Sequence, residues 1–308
     1  MRRTLVVVGA LTVVVVAMQP SGATFPGGNG KIAYFDFGQS PFQIHVIEPD
    51  GSAEAQLTAG QRSATDPTWS ADGSRIAFVR DKPKGRRSAL FIMNADGSGK
   101  TLIRRGVTQR RGEMAGPAWS PDGTQIVFCA FSNVNRAAPN LYVINQDGSG
   151  LNKISLGRNR FDCHPSWSPD GTRIAFVTLS RNGSQSLATM NPDGSDRTIL
   201  VRRGQNQFPN WSPDGAQIVF TRQNPSQADV FVIDNDGSGR TRLTDTPRRY
   251  EWTPAFSPDG TLIAFSRGQG PNFLSPGDIF TMRTDGTDVV RVTDTRRGDE
   301  FRLNWQAV

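Results

Sequence analysis

Short apolar runs recur along the chain, and each one follows directly on a polar turn. The runs 76–79, 126–128, 174–177, 218–220 and 263–265 all begin with Ile followed by Ala or Val and then Phe. Each run is preceded by Trp or Phe, then by Ser, then by Pro or Ala, then by Asp-Gly and two further residues. Asp-Gly supplies the positive-φ positions that a tight hairpin turn needs. Continuous apolar runs are typical of strands that are covered on both faces. The pattern therefore predicts a β-hairpin at each of these turns.

The hairpin repeats with a nearly constant period. Its aromatic residue is Trp69, Trp119, Trp167, Trp211 and Phe256 in turn, at intervals of 44 to 50 residues. A fixed period in this range indicates a repeat architecture in which each unit packs on its neighbours.

A second Asp-Gly turn alternates with the first. Each of these turns follows a strand-like run and precedes a weaker, more polar one, and their aspartates are Asp50, Asp96, Asp147, Asp193, Asp236 and Asp285. Each unit thus reads as four antiparallel strands, which is the composition of a propeller blade. The polar fourth strand is typical of an outer edge.

The two ends of the repeat region complement each other. Residues 29–35 look like the second strand of the hairpin without its first strand, whereas residues 301–305 look like a first strand without a second. The pattern predicts an all-β fold: a single six-bladed β-propeller with four antiparallel strands per blade. The ring would be closed by N- and C-terminal strands that share one blade, which removes a free sheet edge.

The first residues have a different composition. Arg2 and Arg3 precede an apolar run over residues 5–18, and small residues follow up to Ala23. This run is shorter than the roughly 20 residues that a membrane span needs. We interpret residues 1–23 as a secretory signal peptide and residues 24–308 as one propeller domain. An uncleaved anchor is the alternative. We expect a secreted or periplasmic, cell-envelope location, with no membrane span after cleavage.

The repeat unit Pro-x-Trp-Ser-Pro-Asp-Gly-x-x-Ile-Ala-Phe, followed by a strand and Asp-Gly-Ser-Gly, resembles the TolB-type (WD40-like) β-propeller repeat. The resemblance covers roughly residues 29–308 and implies the propeller module alone, without the N-terminal α/β domain of TolB. It also implies protein binding, because propellers of that family are docking platforms in the bacterial envelope. Similar repeats form the propeller of prolyl-oligopeptidase-like enzymes, but we find no hydrolase half here.

The charge is strongly basic. The chain has 35 Lys and Arg against 28 Asp and Glu, a formal net charge of +7. Most of the basic residues are Arg, whose guanidinium suits carboxylate and phosphate partners. For an exported protein we expect an acidic protein or an anionic polymer as the partner, and no nucleic acid. Solvated surface arginines are the alternative interpretation.

Motifs for catalysis are missing from the sequence. It has only two histidines, His45 and His164, and contains no Gly-x-Ser-x-Gly, His-Glu-x-x-His or Cys-x-x-Cys pattern. We interpret the repeated aspartates as turn formers that bind their own backbone. The run 234–239 imitates the start of a calcium loop but lacks the closing Glu. We therefore expect no enzyme, no cofactor and no metal.

Cys129 ends a second strand, and Cys163 lies just before the first strand of the next blade. Both would lie near the same end of the ring, so a disulfide is plausible in an exported protein. Two buried, unbridged thiols are the alternative.

The order of strands and turns predicts a separation of charge. Both tight turns of a blade project from one face of the ring and carry aspartates, while the longer loops project from the other face and carry arginines. We expect the basic loops and the mouth of the channel to form the binding site. A polar ligand, a bound cation and simple salt bridges are the alternatives for the carboxylates at the mouth. The predicted binding residues are Arg86, Arg87, Arg104, Arg105, Arg110, Arg111, Asp162, His164, Arg202, Arg203, Arg248, Arg249, Glu251, Arg296 and Arg297.

These observations favour an exported, non-catalytic and monomeric binding module that engages an envelope protein or an anionic polymer. The alternative is a polysaccharide lyase or hydrolase that uses His164, Asp162 and Glu251 at the channel mouth. A wall-associated structural protein held by charge is a third possibility. The sequence does not identify the partner.

Overall fold

The computed structural model describes residues 25–36, 40–81, 88–105, 116–131, 139–155, 161–180, 183–270, 277–294 and 300–308. Within these ranges the regular secondary structure is entirely β, as predicted. None of the described segments forms a helix that could cross a bilayer.

Three of the sheets have four strands each, and the strands are numbered here in chain order. The first sheet has the order β24 (Glu300–Ala307), β1 (Asn29–Asp36), β2 (Gln43–Ile47), β3 (Ala55–Gln56). The second has β4 (Ala64–Trp69), β5 (Arg75–Asp81), β6 (Ser88–Asn94), β7 (Thr101–Arg105). The third has β8 (Ala118–Trp119), β9 (Gln125–Phe131), β10 (Pro139–Asn145), β11 (Asn152–Lys153).

The remaining strands form one 12-stranded sheet made of three sets of four. The first set is β12 (Phe161–Trp167), β13 (Ile174–Leu179), β14 (Gln185–Met190), β15 (Thr198–Val201). The second is β16 (Gln205–Trp211), β17 (Gln217–Gln223), β18 (Ala228–Asp234), β19 (Thr241–Arg242). The third is β20 (Tyr250–Phe256), β21 (Leu262–Gly268), β22 (Gly277–Arg283), β23 (Val290–Arg291). A single parallel residue pair joins each set to the next, Gln185 with Gln205 and Ala228 with Tyr250.

The tight turns are held by their own aspartates. The Ser74 amide donates to Asp72 Oδ1 at 3.1 Å, and the Ser98 amide donates to Asp96 Oδ1 at 2.8 Å. The backbone amide two residues after the aspartate makes the same bond in nine other turns, those of Asp50, Asp122, Asp147, Asp170, Asp193, Asp214, Asp236, Asp259 and Asp285. These bonds satisfy backbone donors in the turn, which explains why Asp recurs there.

The core lies between successive sheets. One cluster joins Ala77 and Leu90 of the second sheet to Trp119 and Phe128 of the third. The Trp119 indole Nε1 also donates to the carbonyl of Thr68 in the preceding sheet at 3.2 Å. Because each sheet is covered on both faces, its second strand is apolar without interruption.

The innermost strands contact one another in cyclic order. Strand β4 contacts β8, β8 contacts β12, β12 contacts β16, and β16 contacts β20. Strand β20 then contacts β24, and β24 contacts β4. Strand β24 pairs antiparallel with β1, with Trp305 opposite Ile32. It is also tied to the second sheet, because the Trp69 amide donates to Asn304 Oδ1 at 2.7 Å. One sheet therefore contains strands from both ends of the chain.

The two ends of each sheet carry different connections. We call the end with the Asp-Gly turns the turn face, and the end with the longer loops the loop face. At the loop face of the second sheet, Ala64 pairs with Arg80 and Arg80 with Ala89. Ala89 in turn pairs with Arg105, so one row of residues crosses all four strands.

A disulfide links Cys129 of β9 to Cys163 of β12, with their Cα atoms 5.1 Å apart. It joins the third sheet to the sheet that follows it.

Candidate functional site: the channel and the loop face

At one position of the repeat the backbone has a positive φ, inside five of the innermost strands and, at Gly116, two residues before β8. The angles are 54° at Asp66, His164 and Phe208, 52° at Thr253, 60° at Arg302 and 42° at Gly116. The strand pairing shifts at this point, as between Cys163 and Ser166. Five of the six innermost strands, all except β8, therefore bend at a β-bulge.

The bulge imposes a backbone conformation that the sequence does not favour. In five of the six strands a proline follows the positive-φ residue, and a residue before proline prefers an extended conformation. A branched residue such as Thr253 is an outlier with positive φ. Such strain persists only where the surrounding structure enforces it.

The six positive-φ residues line a cavity of about 90 Å³ where the innermost strands converge. Arg302 crosses this cavity. Its Nε lies 3.1 Å from Asp66 Oδ1, and its guanidinium carbon lies 4.5 Å from the ring centre of Phe208. A Cβ at Gly116 would lie 3.5 Å from Arg302 Nη1, so this glycine leaves room for the guanidinium. Arg302 thus obstructs the channel at this level.

The ionisable groups of the cavity are perturbed by burial. Burial, and then the charge of Arg302, lower the pKa of His164 well below its usual 6.5, so the imidazole is neutral at pH 7. Burial raises the pKa of Asp66, against the opposing charge of Arg302. Burial also lowers the pKa of Arg302.

The cavity offers several polar atoms in a small volume. His164 Nδ1, Ser166 Oγ and Thr253 Oγ1 are buried and have no hydrogen-bond partner within the described residues. A volume of about 90 Å³ corresponds to roughly three water molecules.

Asp162 and Glu251 do not line this cavity, although they were expected at the channel mouth. Asp162 forms a bidentate ion pair with Arg197, with both N–O distances 2.9 Å. Glu251 lies 2.9 Å from Arg267 Nε and accepts a hydrogen bond from the Thr244 hydroxyl. In a regular strand, residues two apart point to the same side. The bulge breaks this alternation, so Asp162 points elsewhere than His164.

Six of the predicted arginines lie exposed at the loop face, in three pairs on different four-stranded sets. None of the six forms an ion pair with a described residue. They are Arg104 and Arg105, Arg202 and Arg203, and Arg248 and Arg249. The other predicted arginines, Arg86, Arg87, Arg110, Arg111, Arg296 and Arg297, lie outside the described residues.

The sequence interpretation missed Phe208, Thr253 and Arg302 as cavity residues. A signal was present, since five of the six innermost strands carry x-Pro two residues before Trp or Phe. The x residue of this motif lines the cavity each time.

Comparison with known proteins identifies the repeat. A family model described as the TolB beta propeller domain matches residues 28–302. Dipeptidyl-peptidase 5 of Porphyromonas endodontalis is 27% identical over 235 residues, 72% of this chain and 32% of that protein. The protein TolB homolog of Chlorobium luteolum is 30% identical over 181 residues, 57% of this chain and 37% of that protein. The chain thus spans about a third of the length of these relatives.

Among solved structures, TolB from Acinetobacter baumannii superposes with a TM-score of 0.74 at 21% identity. The superposition covers 91% of this chain and 67% of that one. At this identity the similarity concerns the fold.

Proposed function

Because the chain belongs to the TolB β-propeller domain family, we propose that it is an exported, non-catalytic binding module. Its loop face binds an acidic surface of another envelope protein. The exposed, unpaired arginines at that face carry the proposal.

We infer a closed ring of six blades as the scaffold of this module. The cyclic contacts of the innermost strands support this inference, and so does the pairing of β24 with β1. A closed ring holds the loops of all blades on one face, so arginines from separate blades can contact one partner.

Six described acids near the loop face are already engaged by arginines other than those six. Asp162 pairs with Arg197, and Glu251 pairs with Arg267. The remaining pairs are Asp229 and Asp245 with Arg242, and Asp278 and Asp294 with Arg291. The six exposed arginines therefore offer positive charge to a partner.

The aspartates of the turn face are bound by their own turns. The hydroxyl and amide of Ser98, for example, hold the pKa of Asp96 below its usual value. These carboxylates stay ionised at neutral pH and lie at the opposite end from the arginines. Such a separation of charge orients an acidic partner toward the loop face and speeds its association.

The cell-envelope location rests on the signal-like residues 1–23 and on the family resemblance. Two of the relatives are themselves described as Tol-Pal system protein TolB. We propose that the module acts as a monomer at that location.

The contacts of the carboxylates argue against the enzyme alternative. A general acid or base must reach the substrate, but Asp162 and Glu251 are buried in ion pairs. A panel of polysaccharides tests this directly: turnover by the parent protein that is lost on His164→Ala would establish a lyase or hydrolase.

The binding test compares two charge reversals of equal size. R202E/R249E changes the loop face, and K100E/K153E changes exposed lysines nearer the turn face. Each variant is immobilised and exposed to envelope extract at low and high salt. We expect the parent and K100E/K153E to retain the same acidic protein, and R202E/R249E to lose it. High salt should also release the protein, because exposed charges are screened.

Retention of the same protein by R202E/R249E would show that the loop face is not the interface. The extract is also treated with protease. Retained material that survives this treatment and still depends on Arg202 and Arg249 would identify an anionic polymer instead of a protein.

A further inference from the structure

A second concave region lies on the turn face, between the four-stranded set β12–β15 and the set β16–β19. It is a cleft of about 550 Å³. Trp211 forms its floor, and Arg173, Leu200, Asp214 and Asn235 are among its walls.

The equivalent junction between the second and third sheets shows how such a cleft can be filled. There Arg75, the first residue of β5, reaches across to the next sheet. Its guanidinium carbon lies 5.1 Å from the ring centre of Trp119, and its Nη1 donates to the side-chain carbonyl of Gln146. By position in the repeat, Trp119 corresponds to Trp211 and Gln146 corresponds to Asn235.

Arg173 is the repeat equivalent of Arg75 but stays within its own sheet. Its guanidinium forms a salt bridge with Asp196 and donates to Asn191 Oδ1 at 2.8 Å and to Thr189 Oγ1 at 2.9 Å. Asp196 has a φ of 48° and occupies the position that is Gly99 in the second sheet, where φ is 63°. The carboxylate of Asp196 therefore retains the guanidinium that would otherwise extend over Trp211.

Because no guanidinium of the described residues extends over Trp211, the oxygens around the cleft are available as hydrogen-bond acceptors. Thr124 and Thr172 donate to the second carboxylate oxygens of Asp122 and Asp170, but Ala216 has no hydroxyl to donate to Asp214. Asn235 donates its amide nitrogen to the Gly215 carbonyl at 2.9 Å, which leaves its Oδ1 as an acceptor.

The charge of the cleft selects the ligand. Asp170, Asp214 and Asp236 line it, while the one lining arginine is neutralised by Asp196. An anionic ligand would be repelled. Carboxylate and amide oxygens above an indole suit a planar cation that only donates hydrogen bonds.

We propose that this cleft binds an arginine side chain of a partner protein, in the manner in which Arg75 occupies the equivalent junction between the second and third sheets. The site is on the turn face and does not depend on binding at the loop face.

The probe is Nα-acetyl-arginine amide, compared with the citrulline analogue, which replaces guanidinium by neutral urea. Binding to the full chain is measured by calorimetry and by the NMR shift of the Trp211 indole N–H. We expect the arginine probe to bind roughly tenfold more tightly than the citrulline probe, because ionic and cation–π contacts are lost in the latter. Asp214→Asn should weaken the arginine probe severalfold, whereas the matched change Asp122→Asn in the filled junction should leave it unchanged.

The sharpest variant is Asp196→Gly. Glycine accepts the positive φ without strain, so the fold is retained, and the freed Arg173 can extend over Trp211. We expect binding of the arginine probe to fall by about tenfold or more. Equal binding of both probes to the parent protein would overturn the proposal, and so would undiminished binding of the arginine probe by Asp196→Gly.

Discussion

Arg302 Nε lies 3.1 Å from Asp66 Oδ1, and this ion pair joins β24 to β4 inside the channel. Both side chains are largely buried, with exposed fractions of 12% and 2%. The two residues come from opposite ends of the repeat region. The pair therefore combines two roles, because it obstructs the channel and holds the C-terminal strand against the second sheet.

Removal of Arg302 is expected to destabilise the fold strongly. Arg302→Met leaves the Asp66 carboxylate buried without its compensating charge, which costs about 3–5 kcal/mol of unfolding free energy. The double variant Asp66→Asn, Arg302→Met should recover much of this loss, because the uncompensated charge is gone. Urea denaturation of the parent, both single variants and the double variant measures the coupling. Additive single effects would show that the two charges do not interact.

The unfolding free energy should depend on pH through His164. Since burial lowers its pKa below 6.5, the unfolded chain binds a proton below pH 6.5 that the folded chain does not. Stability is thus fully present above pH 6.5 and falls as the pH drops toward the folded pKa, by up to about 1.4 kcal/mol per pH unit.

His164→Asn tests this dependence, because Asn tolerates positive φ and does not titrate. Denaturation of both proteins is compared at several pH values on either side of 6.5. We expect a flatter profile for the variant below pH 6.5. Parallel profiles would contradict a neutral buried imidazole.

Asn304 is expected to hold the junction between β24 and β4. Its side chain accepts the Trp69 amide, so Asn304→Ala leaves a largely buried donor without a partner. The expected cost is about 1–3 kcal/mol in thermal or urea denaturation. Asn152→Ala, in the exposed strand β11, is the control and should have little effect. A loss of similar size in both variants would mean that the Trp69 bond is not responsible.

The disulfide should contribute through the unfolded state. Cys129 and Cys163 are separated by 34 positions, and a crosslink that closes a loop of this length stabilises by about 2–4 kcal/mol. Reduction of the parent protein and the variant C129S/C163S should lower the denaturation midpoint by similar amounts. A reductant that further destabilises C129S/C163S would be acting elsewhere.

The repeated turns made the strands predictable, because Asp-Gly and the apolar run after it determine a hairpin locally. The pairing of residues 301–305 with residues 32–36 was also predictable, since each lacked a partner strand. The directions of the side chains in the innermost strands were not predictable. The bulge at His164 opposes the local preference of a residue before proline, and it depends on packing between sheets.

The different contacts of arginines at the same repeat position were equally unpredictable. Arg75 and Arg173 occupy the same repeat position, yet one reaches the next sheet and the other binds Asp196. Two substitutions accompany this difference: Asp196 replaces Gly99, and Thr189, which also binds Arg173, replaces Ile92. A repeat pattern averages over such differences, whereas the two proposed binding surfaces depend on them.

The pairing of β1 with β24 has a consequence for biosynthesis. The first sheet receives its innermost strand from residues 300–307, which the ribosome makes after every other strand described here. Until then the apolar side chains of Ile32 and Tyr34 lack part of the surface that covers them. Completion of this sheet therefore waits until residues 300–307 have been made, and the pairing of β24 with β1 spans nearly the whole repeat region, which gives it a high contact order.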